Sequence, residues 1–117
     1  MQAILIFSSD PLAAALLGAA GELAGCVPHY AREDEAARAA LLRVRPAVVL
    51  IDCDHEETCS DEFVGPALMT DAKVVLFHSR STRRDMQSFA DRLSLHVMNM
   101  PADITTFGAR LRELLGS

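Results

Sequence analysis

The chain has 117 residues, half of them hydrophobic, and a formal charge of −5. That length suits one domain with its own core, held by neither metal nor disulfides, and the negative balance argues against a general nucleic-acid role, because phosphate binding needs a basic surface that releases counterions. No apolar run approaches the ~20 residues of a membrane-spanning helix, and three cysteines without a secretory signal (Cys26, Cys53 and Cys59) cannot all pair, which fits a reducing, cytoplasmic setting.

Taken in order, Ala3-Ile4-Leu5-Ile6-Phe7 is continuously apolar, the pattern of a strand covered by helices on both faces. Ser8-Ser9-Asp10-Pro11 then supplies a helix start, with Asp10 as N-cap and Pro11 at the first helical position, where its missing N–H costs nothing. The helix is expected to run to about Gly25. Within it, Gly18-Ala19-Ala20-Gly21 is not a phosphate-binding fingerprint, because the glycines do not directly follow a strand, and it reads as a place for close packing. Residues 26–30 form a short second strand, which Pro28 demotes to an edge position because proline cannot donate to a ladder.

Glu33-Asp34-Glu35 are expected at the N-terminus of a second helix and Arg43 and Arg45 at its C-terminus, the order favoured by the helix dipole, with Pro46 as the stop and Ala37, Leu41 and Val44 as the buried stripe. Ala47-Val48-Val49-Leu50-Ile51 is a second fully apolar run that ends abruptly in Asp52 and opens into an acidic, polar loop. A short helix is predicted over residues 61–69, broken or kinked near Gly65-Pro66, then a fourth strand over 74–77. Met86, Phe89, Ala90 and Leu93 mark a fourth helix, residues 95–98 a fifth strand, and Ile104, Phe107, Leu111, Leu114 and Leu115 the buried face of the last helix.

Five strand–helix units joined by short connections predict a doubly wound α/β fold: a five-stranded parallel sheet, (βα)5, with right-handed crossovers and helices on both faces. Residues 1–117 read as one such domain. Ligands and chemistry gather beyond the carboxyl ends of the strands in such sheets, which singles out Ser8, Ser9, Asp10, Asp52, Cys53, Asp54, His78, Ser79, Met100 and Pro101.

Three segments, residues 4–11, 46–52 and 97–101, resemble the receiver domain of two-component response regulators, a flavodoxin-like fold, and the likeness spans essentially the whole chain. The middle segment is the most specific, because the family places its phosphoacceptor aspartate at the end of such a strand. That role maps to Asp52. The resemblance also implies two acidic residues after the first strand to hold Mg²⁺, a Ser or Thr after the fourth, and a Lys before a proline after the fifth. Here Ser8 and Ser9 stand at the acidic pair, His78 at the hydroxyl, and Met100, before Pro101, at the lysine; Val97 stands where a switch aromatic is common.

Phosphoryl transfer to a carboxylate needs a cation on the phosphoryl oxygens, and two serines cannot replace the carboxylates of a hard Mg²⁺ site. The expectation is an atypical, or pseudo-, receiver: no enzyme, no required cofactor, and a partner that is a kinase, an output domain or another signalling protein. By resemblance its recognition surface, and the face of a homodimer, is residues 82–115. The alternative is a receiver phosphorylated at Asp52 by a histidine kinase, with Asp10 supplying a second carboxylate for weak Mg²⁺ binding.

Other constellations are weaker. His55 and Cys59 lie in the loop after Asp52, but no second closely spaced His/Cys pair completes a tetrahedral set. A nucleophilic centre of Cys53, His78 and Asp52 lacks an evident oxyanion hole. Arg80, Arg83 and Arg84 follow the fourth strand, and one of them could take the place of the missing lysine beside Asp52.

Overall fold

The computed structural model describes residues 2–52, 60–77, 91–93, 95–97 and 104–116. Five strands, β1 (Ala3–Phe7), β2 (Val27–Tyr30), β3 (Val48–Asp52), β4 (Lys73–Phe77) and β5 (His96–Val97), form one parallel sheet in the order β2-β1-β3-β4-β5. The helices are α1 (Pro11–Leu23), α2 (Ala37–Val44), α3 (Asp61–Met69) and a C-terminal helix (Ile104–Gly116). Residues 91–93 are also helical, at the end of the stretch predicted as the fourth helix; Met86, Phe89 and Ala90 lie outside the described residues.

The period-2 alternation of the strands explains the two layers. Leu5, Phe7, Val49, Ile51, Val74 and Leu76 pack against α2 and α3, with Phe7 and Phe63 meeting edge to face at 5.0 Å between ring centroids. Ile4, Ile6, Val48, Leu50, Val75 and Phe77 point the other way, against α1 and the C-terminal helix. The apolar runs of β1, β3 and β4 are therefore continuous because both of their faces are covered. The strand β2 lies at the sheet edge, as Pro28 requires.

Both ends of α1 follow from local chemistry. Asp10 Oδ1 accepts from the N–H groups of Leu12 at 3.0 Å and Ala13 at 3.4 Å, and Pro11 follows at the first helical position. At the other end the helix stops at Leu23, two residues before the sequence expectation. Gly25 has φ +85°, the Gly25 N–H donates to Glu22 O and the Cys26 N–H to Gly21 O, the paired bonds of a Schellman cap. The two internal glycines admit neighbours: a Cβ on Gly18 would lie 2.1 Å from the Tyr30 hydroxyl oxygen, and one on Gly21 2.4 Å from Ile4 Cδ1. They serve close packing, as the sequence indicates.

The start of α2 corrects the sequence reading. Glu33, Asp34 and Glu35 precede the helix instead of occupying its first turn, and Ala36 stands at the N-cap with no side-chain bond. Glu35 instead accepts the Arg32 N–H and both Nε and Nη2 of Arg43, while Arg43 Nη2 also donates to Tyr30 O. The acid thus ties the loop to the far end of the helix, a bidentate pairing that helical spacing alone cannot produce. Ala37, Ala40 and Leu41 are buried and Val44 half-buried, close to the expected stripe, and α2 ends at Arg45 in the left-handed region, φ 51°, before Pro46.

This pairing has a pH consequence. The Arg43 guanidinium, with the Arg32 N–H second, lowers the Glu35 carboxyl to about 2. A folded-state value below the unfolded one, about 4.3, means the contribution is fully present above that unfolded value and lost as pH falls through about 2. In Glu35→Gln, the acid-side loss of stability, followed by urea midpoints from pH 5 downward, is therefore expected to be shallower than in the parent.

The helix α3 spans the expected residues and continues through Gly65 and Pro66 without a break. Lys73, at the start of β4, donates through Nζ to Leu114 O, placing a cation at the carbonyl end of the C-terminal helix. In that helix Phe107, Leu111 and Leu114 are buried and Leu115 is partly buried, as expected of them, while the Ile104 side chain lies outside what is described. Among the described residues no helix is long and apolar enough to cross a membrane.

Candidate functional site

Three chain segments meet at the carboxyl edge of the sheet. β3 ends in Asp52, β4 ends beside it in Phe77, and β1 gives way to Ser8. The β1–β3 register pairs Phe7 with Ile51. One residue further along that register brings Ser8 level with Asp52, and parity turns both side chains to the face shared with α1.

The resulting contact is direct. Ser8 Oγ donates to Asp52 Oδ2 at 2.8 Å and accepts the Asp10 N–H at 3.1 Å. One hydroxyl therefore couples the carboxylate at the end of a central strand to the first turn of α1. Asp52 is 0% exposed, the one polar residue among the buried positions described. Burying a carboxylate is unfavourable unless its oxygens are hydrogen-bonded, and among the described residues no buried side-chain nitrogen or oxygen lacks a partner. Phe77, in register with Asp52 and also fully buried, supplies part of the apolar floor.

Of the residues picked from the sequence, the structure joins Ser8 and Asp52. Ser9 is exposed, and Asp10 turns its Oδ1 to the amides of α1 as the predicted cap. His78, Met100 and Pro101 lie outside the described residues, as do Cys53, Asp54, His55, Cys59, Ser79, Arg80, Arg83 and Arg84. Cys26 is a buried thiol whose pKa is raised by burial, the behaviour of a small core hydrophobe. The Ser8–Asp52 bond itself was not drawn from the sequence. Its signal was available in the strand register, once β1 and β3 are recognised as neighbours.

Chemically, the described residues give a carboxylate closed off from solvent and engaged by a hydroxyl donor. Among the described residues no group of three His, Cys, Asp or Glu side chains comes together as a metal site.

The sequence matches no protein-family model and no curated protein. The structure does match solved ones. A response regulator from Thermotoga maritima superposes with a TM-score of 0.77 at 15% identity, over 100% of this chain and 99% of that one. The signal receiver domain of a modulated diguanylate cyclase from Desulfovibrio desulfuricans G20 gives 0.77 at 19% identity, over 99% and 94%. The signal receiver domain of a DNA-binding response regulator from Colwellia psychrerythraea 34H gives 0.76 at 20% identity, over the full length of both chains. At such identities the likeness is one of fold, and it agrees with the strand order and the two helical layers: the chain has the doubly wound, flavodoxin-like α/β fold of response-regulator receiver domains.

Proposed function

We propose that residues 1–117 form an atypical receiver domain, a cytoplasmic signal-transduction module that works by binding another protein and has no Mg²⁺-dependent phosphorylation cycle or enzymatic activity of its own. The observation that carries this reading is the state of Asp52, fully buried and bonded by Ser8 at a position where the family resemblance implies an acidic residue. A phosphoacceptor must present an oxygen lone pair to an incoming phosphorus, with a cation beside it. Here one oxygen accepts a serine hydroxyl and the carboxylate faces no solvent.

The donor set that the described residues bring to Asp52 does not fit a Mg²⁺ site of the kind the resemblance implies. Mg²⁺ demands near-octahedral hard oxygens and is usually held by one or two carboxylates with waters. Ser8 and Ser9 bring no charge, and the Ser8 hydroxyl is engaged as a donor to Asp52 Oδ2, an oxygen a metal would need. The alternative, a receiver phosphorylated at Asp52 with Asp10 assisting a weak metal site, has to draw Asp10 away from its cap on α1.

By the resemblance, the partner is a kinase, an output domain or another signalling protein, docking on residues 82–115. Two of the structural neighbours are themselves receiver domains of larger regulators, a diguanylate cyclase and a DNA-binding protein. Incubation with acetyl phosphate and Mg²⁺, followed by intact-mass measurement, is expected to leave the mass unchanged. A phosphoryl adduct that vanishes in Asp52→Asn would establish the alternative.

A further inference from the structure

The outer face of α1 is unlike that of an ordinary surface helix. In thirteen residues, PLAAALLGAAGEL, Glu22 is the only charged or polar side chain. Its inward residues are accounted for: Ala13, Leu17, Gly18, Ala20 and Gly21 are buried against the sheet and the C-terminal helix. The remaining apolar residues face water, with Leu12 69%, Leu16 37% and Leu23 66% exposed, and Ala15 and Ala19 exposed between them. A surface helix normally carries charge on that side, and one that is apolar all round is normally covered.

The spacing and the charges together indicate what covers it. Leu12, Leu16, Ala19 and Leu23 recur at intervals of four, three and four, the seam of a helix that packs lengthwise on another helix. The seam is self-complementary when reversed: turned end for end about its midpoint, Leu12 meets Leu23 and Leu16 meets Ala19, a large residue against a small one. The ends of the seam differ in charge: the N-terminal end has a carboxylate, and the C-terminal end has an arginine with the exposed Glu22 on its flank. The N-terminal end holds the Asp10 carboxylate, whereas at the C-terminal end Arg112 reaches over from the C-terminal helix to donate to Leu23 O at 3.5 Å. An antiparallel copy brings Arg112 of each chain to Asp10 of the other and sets the two helix dipoles in opposite directions, positive end beside negative; a parallel copy sets like ends together.

We propose that α1 is the contact of a two-fold homodimer, packing antiparallel on α1 of a second copy through Leu12, Leu16, Ala19 and Leu23, with Arg112 and Asp10 pairing at both ends. The leucine seam lies outside residues 82–115, and of that region the contact takes in Arg112. A helix of this length is about 20 Å long, so the pair buries less than the roughly 800 Å² per partner of a standard stable interface. The dimer is accordingly a weak, concentration-dependent one.

Sedimentation equilibrium of the full chain is the test. The parent is expected to show a reversible monomer–dimer equilibrium. Leu12→Lys and Leu23→Glu, both at exposed positions, are each expected to weaken self-association by about tenfold or more, with the circular dichroism of the folded chain unchanged. In the antiparallel register a Leu12→Lys chain meets a Leu23→Glu chain with opposite charges at one end and the parental leucines at the other, so mixing the two variants restores association. A parent that stays monomeric at the highest attainable concentration, variants that dimerise like the parent, or a mixture that fails to recover would each overturn the proposal.

Discussion

Phe77→Ala is expected to lower the unfolding free energy by about 3–5 kcal/mol, in the range for large aromatic truncations in a core. Phe77 is 0% exposed, closes the last rung of the β3–β4 ladder opposite Asp52, and belongs to the cluster that joins Val48, Leu50 and Val75 to Phe107, Leu111 and Leu114. The described strand residues of that cluster are themselves buried. For a domain of this length, with total stability of roughly 5–15 kcal/mol, the loss is a large share of the whole. Urea denaturation monitored by circular dichroism would measure it as a lowered midpoint at unchanged slope. A loss below about 1 kcal/mol would mean that the C-terminal helix does not pack on β4 as described.

Ser8→Ala is the second large effect, at about 1.5–3 kcal/mol, the range for a hydrogen bond to a charged group. The hydroxyl is one donor to a carboxylate with no access to water, and it also accepts the Asp10 N–H at the mouth of α1. Its removal takes a donor from a buried charge and loosens the first turn of the helix in one step. The charge dependence can be isolated: in an Asp52→Asn background the same Ser8→Ala change is expected to cost nearer 1 kcal/mol, the value for a neutral pair. Equal losses in the two backgrounds would show that Ser8 acts without reference to the carboxylate.

The architecture was legible because its strongest signals are local. Each fully apolar run became a strand buried on both faces, Pro28 marked an edge strand, and Asp10-Pro11 marked the start of α1. The start of α2 was misread because three consecutive acids look like a helix N-terminus, whereas Glu35 is claimed by Arg43, eight residues away, through a contact that only the folded loop creates. Gly65-Pro66 suggested a break or a kink, and α3 continues through them without a break, with Val64 and Ala67 on either side of Pro66 fully buried against the sheet.

The site was legible as a set of positions but not as an arrangement. Asp52 at the end of β3 could be picked out by pattern, and Ser8 by its place after β1, but neither pattern nor composition says that the carboxylate is buried and that the hydroxyl closes on it. That follows from strand register, which is a property of the sheet. The outward leucines of α1 were likewise hidden, because an apolar helix read without its neighbours does not reveal which of its faces is left uncovered.

The central claim, that control of this domain does not run through phosphorylation of Asp52, is tested most directly by a two-dimensional amide NMR titration with Mg²⁺ and then with Mg²⁺ and beryllium fluoride, which mimics an aspartyl phosphate. The spectrum is predicted to stay unchanged through both additions, with Asp52 still closed by Ser8. Shifts centred on Asp52 and spreading toward the C-terminal helix would contradict the account and show a receiver switch that works despite its substituted site.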